Sequence, residues 1–111
     1  MSILEDIFRW LHPDQPDRVM KTSSFYRTKD GLADFHFSFE QQPDGNWRAY
    51  ILGNTNYGSR ADDCHSTHRL MDGERPFVCW TTPLRTQQAA RDVAALWADK
   101  TQKYIRFGEK F

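Results

Sequence analysis

A chain of 111 residues with 15 Lys plus Arg against 15 Asp plus Glu has room for one hydrophobic core and no net charge, which excludes the globally basic surface of a strong DNA binder. Aromatic residues make up 14%, so burial rests on a few large rings and the composition points away from disorder. The two cysteines, Cys64 and Cys79, are too few for a disulfide framework.

The first six residues lack the basic and apolar regions of a secretory leader, and no stretch reaches the roughly 20 apolar residues of a membrane span. A cytoplasmic protein with free thiols is the expectation. Ser2 followed by Glu5 forms a capping box, and Ile3, Leu4, Ile7, Phe8 and Leu11 recur behind it at helical spacing. This predicts a first helix over about 3–11, ended by Pro13 and Pro16.

Three strands are predicted next, over 22–28, 33–41 and 46–52. The segments between them carry Asp30-Gly31 and Asp44-Gly45, the signal of tight hairpins, so the three form a meander. In the middle strand Phe35, Phe37 and Phe39 alternate with His36, Ser38 and Glu40, the period of a strand with one dry face. A short second turn sets Glu40 opposite Arg48, Phe39 opposite Ala49 and Phe37 opposite Ile51, so that rings meet apolar partners and a carboxylate meets a guanidinium.

From Gly53 to His65 no periodicity is visible, and this is the longest predicted loop. A second hairpin, 66–71 and 76–80 around Asp72-Gly73-Glu74-Arg75, places His68 opposite Cys79 and Leu70 opposite Phe77. From Thr86 an apolar stripe through Ala90, Val93, Ala94 and Trp97 predicts a helix over 86–107, with Gly108 as its left-handed cap. The expected architecture is therefore a single α+β domain spanning 1–111. About five antiparallel strands form the sheet, with the short first helix and the long C-terminal helix on the face of the Phe ladder and Trp97 buried there.

Candidate chemistry is sparse. Cys64, His65, His68 and Cys79 are ligand types that zinc accepts, but no Cys-x-x-Cys is present and strand pairing alone accounts for Cys79 beside His68. The expectation is no bound metal and no cofactor. A thiol nucleophile at Cys64 with His65 or His68 as base is the third-ranked reading, an enzyme. No phosphate loop, dinucleotide fingerprint or Gly-x-Ser-x-Gly elbow occurs.

The remaining feature is the face opposite the Phe ladder, to which Tyr26, His36, Arg48 and Tyr50 are assigned. The adjoining loop contributes Asn56, Tyr57 and Arg60. Tyr and Arg anchor interfaces more often than most side chains, and a long loop in a compact domain invites a functional reason. These residues lead to a non-enzymatic protein-binding or regulatory module, such as a small accessory or inhibitor protein acting on a larger protein machine. Single-stranded nucleic acid on the same aromatic and Arg face is the runner-up, with weak, salt-sensitive binding. A homodimer through that face would bury the same residues without a foreign partner.

Overall fold

The computed structural model describes residues 20–111, so the helix predicted over 3–11 lies outside the described residues. Five strands form one antiparallel sheet: β1 (Lys21–Arg27), β2 (Asp34–Gln41), β3 (Trp47–Leu52), β4 (Arg69–Asp72) and β5 (Arg75–Val78). A single helical turn, α1 (Cys64–Thr67), precedes β4, and the long helix α2 (Gln87–Phe107) closes the fold. The strand order is β1-β2-β3-β5-β4, so the second hairpin enters the sheet through its later strand.

That order explains the long loop. The chain leaving β3 must pass the position β5 will fill and begin an edge strand beyond it, so its length follows from topology. The loop packs as it goes: the Tyr57 ring lies 6.2 Å from that of Tyr104 on α2, and Ala61 O accepts from Tyr104 Oη at 2.7 Å.

The second hairpin is shorter than the sequence suggests. Ser66 and Thr67 are helical because Asp63 caps a turn: its carboxylate accepts from Ser66 N at 3.2 Å, and the Thr67 hydroxyl donates to its carbonyl at 2.7 Å. His68 ends the turn in the left-handed region at φ 52°, and only then does β4 start. Cys79 N donates to His68 O at 2.9 Å, so these two residues are neighbours as predicted, although β5 ends at Val78.

The first sheet face carries Phe35, Phe37 and Phe39 with Ala49 and Ile51 in the predicted register. Helix α2 lies on it. Ala90, Ala94 and Ala98, spaced by four, are fully buried, and their small side chains let the helix approach closely. Trp97, 3% exposed, drops between them edge-on to Phe35 at 5.5 Å and Phe37 at 5.9 Å, and its Nε1 donates to Thr67 O at 2.9 Å. The helix is capped at both ends: Thr86 Oγ1 accepts from Ala89 N at 3.0 Å, and Gly108 takes φ 71° while donating to Tyr104 O at 2.8 Å. No helix among the described residues is long and apolar enough to cross a membrane.

Candidate functional site

Strand pairing decides what the second sheet face holds. β1 pairs with β2 so that Phe25 lies opposite His36 and Tyr26 opposite Phe35. Directly paired residues share a face, so Tyr26 belongs to the helix side, contrary to the assignment from the sequence. Its hydroxyl donates to Asp99 Oδ2 at 2.7 Å, and that bond, with burial and the carboxylate charge, pushes its pKa up to about 12. Phe25 takes its place on the second face, 69% exposed and stacked on the His36 ring at 4.0 Å.

At the centre of this face two arginines roof two aromatic rings. Arg75, from the start of β5, lies 3.8 Å over Tyr50 and reaches Glu40, donating from Nη1 to Oε1 at 3.1 Å with a second contact from Nη2 to Oε2. Arg48 lies 4.2 Å over Phe77 and donates from Nη1 to Asp72 Oδ2 at 3.3 Å. Tyr50 donates to the same carboxylate oxygen at 2.8 Å, and Ser38 Oγ donates to Glu40 Oε2 at 2.7 Å. The guanidinium of Arg75, helped by Ser38, holds the Glu40 carboxyl below the usual carboxylate range.

This arrangement corrects two expectations. Glu40 does stand opposite Arg48 in the backbone register, but its ion pair is with Arg75, which reaches it diagonally across β3. Tyr50 is on the predicted face yet only 2% exposed, because the sheet is two strands wider than the meander and the second hairpin covers it. His36 and Arg48 occupy the face as predicted, both half-buried.

The 53–65 loop does not adjoin this face. Tyr57 is 5% exposed beneath the Arg69 guanidinium, 4.9 Å from its ring, and burial raises its pKa. Asn56 is exposed, with Oδ1 accepting from Gly58 N at 2.8 Å in a local turn. Arg60 sits at the C-terminal end of α2, its Nε 3.5 Å from Ile105 O, where a cation opposes the helix dipole. Tyr57 and Arg60 therefore tie the loop to the helix, on the other side of the sheet from Arg48 and Tyr50.

Cys64 is exposed at the start of α1, Cys79 is half-buried, and neither is bridged. The His68 ring packs on Phe111 at 4.4 Å and its Nε2 contacts the Phe111 carbonyl oxygen. Among the described residues no three His, Cys, Asp or Glu side chains are grouped to hold a metal ion.

Where β3 and β5 part, an open groove of about 280 Å³ runs between the β2–β3 turn and the 79–84 segment. Asp44, Asn46, Arg48, Leu70, Phe77 and Trp80 contribute to its lining. Trp80 and Arg75 lie outside the set of residues assigned to a site from the sequence. A Trp closing a predicted strand and followed by Thr81-Thr82-Pro83 was a visible signal, whereas Arg75 in a turn was not. No family model matches the chain, and neither the curated proteins nor the solved structures yield a match.

Proposed function

We propose that this chain is a non-enzymatic protein-binding module that recognises a partner through its second sheet face. One observation carries the reading: Arg48 and Arg75 are held over Phe77 and Tyr50, 4.2 and 3.8 Å from the ring centres, at the centre of the face, while Phe25 and Leu70 are exposed at its two edges. Interfaces concentrate their energy in Arg and aromatic side chains, and groups already locked in place lose little entropy on binding. Both arginines are matched by Asp72 and Glu40, which suits a partner protein better than a phosphate backbone. A reducing cytoplasm suits the two unbridged thiols.

The test is affinity purification of the full chain from its own source, alongside Phe25→Ser and Arg75→Ala. Both side chains lie largely outside the core, so the variants should keep the fold. The expected result is a stoichiometric partner retained by the wild type and lost by both variants. Sedimentation at micromolar concentration separates the homodimer. Wild-type self-association abolished by Phe25→Ser, or a partner retained unchanged by both variants, would overturn the reading.

A further inference from the structure

β1 is an edge strand of seven residues, and its ladder with β2 shows which of its backbone groups point outward. At one end Gln41 N donates to Met20 O at 2.8 Å, and at the other Thr28 N donates to Ala33 O at 2.9 Å. The register between them is unbroken, so Thr22, Ser24 and Tyr26 complete the hydrogen-bonded pairs with β2. Lys21, Ser23, Phe25 and Arg27 therefore turn their N–H and C=O away from the sheet. Among the described residues one hydrogen bond reaches these groups, from Ser24 Oγ to Phe25 O at 3.4 Å. The side chains of the same four residues are exposed and lie on the second face.

Sheet edges are ordinarily guarded: a short strand, a bulge, a proline or a charge within the strand keeps other chains from pairing there. The opposite edge conforms, since β4 has four residues with Arg69 and Asp72 at its ends. β1 has none of these guards between Lys21 and Arg27, where Thr22-Ser23-Ser24-Phe25-Tyr26 is uncharged, free of proline and in continuous register. Donors and acceptors alternating at strand spacing are matched in full by another extended backbone. A second copy of the chain fits poorly as its source. The two-fold antiparallel register that uses all four outward residues sets Lys21 directly against Arg27 twice, and like charges opposite one another are destabilising. Foreign carboxylates at these two positions reverse the sign of both contacts.

We infer that β1 takes up an extended strand of the partner as a sixth strand of the sheet, antiparallel to β1, with an apolar side chain opposite Phe25 and carboxylates opposite Lys21 and Arg27. The inference rests on the protein-binding reading and says how the partner's backbone engages the edge of the second face.

The probe is a synthetic peptide, Glu-Thr-Val-Thr-Val-Thr-Glu, titrated into the full ¹⁵N-labelled chain. Glu-Thr-Pro-Thr-Pro-Thr-Glu is an equally charged control without the central N–H groups that face β1. In the free chain the Ser23 and Phe25 amides should exchange with solvent faster than those of Thr22, Ser24 and Tyr26. The expected result, with the first peptide only, is a saturable shift of the Ser23 and Phe25 amide resonances and slower exchange at both. Ser23→Pro removes one outward donor and leaves the β1–β2 bonds in place, so binding should weaken about tenfold with the melting temperature near that of wild type. Lys21→Glu keeps every backbone group and should weaken binding about threefold through charge alone. No saturation by about 1 mM peptide, equal binding of the proline control, or wild-type affinity in either variant would overturn the inference. So would slow exchange at Ser23 and Phe25 in the free chain: the edge then belongs to a second copy if sedimentation gives a dimer, and to the chain's own residues 1–19 if it gives a monomer. If the peptide fails while the partner is still lost in Phe25→Ser and Arg75→Ala, strand addition is wrong and the binding face stands. If the peptide binds and the partner survives both variants, the edge stands and the central face is wrong.

Discussion

Four tryptophans occupy the chain, and Trp97 and Trp80 experience opposite surroundings. Trp97 is wedged edge-on between two Phe rings with its N–H satisfied, so Trp97→Ala removes a core ring and leaves a cavity beneath a helix that cannot collapse onto a rigid sheet. A loss of about 3–5 kcal/mol in denaturant-unfolding free energy is expected, against under about 1 kcal/mol for the exposed Trp80→Ala. Tyr50 shows a subtler dependence. Its ring is covered by Arg75 and its hydroxyl donates to Asp72 and accepts from Arg48, so Tyr50→Phe keeps the packing and removes two hydrogen bonds. About 1 kcal/mol is expected from chemical denaturation, with Arg75→Ala in the Tyr50→Phe background showing non-additivity because both act on one network.

At the scale of elements, the turn between β1 and β2 is clamped to α2 from both of its sides. Asp99 accepts from Tyr26 Oη at 2.7 Å and from Lys29 N at 2.9 Å, while Arg106 donates to Asp30 Oδ2 at 3.0 Å. Asp30 also accepts from Thr28 Oγ1 at 2.6 Å and Leu32 N at 2.9 Å, and these bonds, Thr28 foremost, lower its pKa to about 2. A depressed folded-state pKa means that the unfolded chain takes up the proton first. The stabilisation is therefore present above the ordinary carboxylate pKa of about 3.9 and is lost as pH falls toward about 2. Asp30→Asn should flatten that part of the stability-versus-pH curve. Tyr26 acts at the other end. Its raised pKa gives stabilisation that is complete below the ordinary Tyr value near 10 and is lost as pH climbs toward about 12. Thermal melts of wild type and Tyr26→Phe should converge over that alkaline range. The cap of α2 adds a steric dependence: a Cβ on Gly108 would stand 2.7 Å from Arg60 Nη1, at a φ that L side chains rarely adopt. Gly108→Ala should cost about 1 kcal/mol or more in the same melts.

For the molecule as a whole, the balance of charge is reproduced locally. Among the described residues of the second face Arg27 pairs with Asp34, Arg48 with Asp72 and Arg75 with Glu40, so each of these cations is matched by a carboxylate. Titration with single- and double-stranded oligonucleotides at about 150 mM salt should give no submicromolar affinity, and whatever binding appears at low salt should fall steeply as salt rises. Submicromolar binding abolished by Arg48→Ala would reverse the preference for a protein partner. The topology makes a further prediction. Because the β3–β4 connection is long in order to pass β5, inserting a few Gly-Ser residues after the exposed Asn54 should cost under about 1 kcal/mol, whereas excising 54–59 should prevent β4 from reaching its edge.

Local pattern was enough for most of the architecture. The alternation of Phe35, Phe37 and Phe39, the Asp-Gly turns before β3 and β5 and the stripe ending at Gly108 placed the strands, two registers (Phe39 opposite Ala49, Leu70 opposite Phe77) and the long helix, because each signal acts between residues a few positions apart. Tyr26 shows where this reach ends. Across the six residues between Arg27 and Asp34 parity is not defined by the alternation, and only pairing Arg27 with Asp34 as opposite charges would have revealed that Tyr26 faces the helix. Tyr50, Tyr57 and the partner of Glu40 were beyond any local rule. Their burial and bonding depend on β5 joining β3 ahead of β4, and on the loop lying down beside Tyr104. The groove at Trp80 belongs to the same class, since it exists only where two strands distant in sequence pair for one bridge and then part.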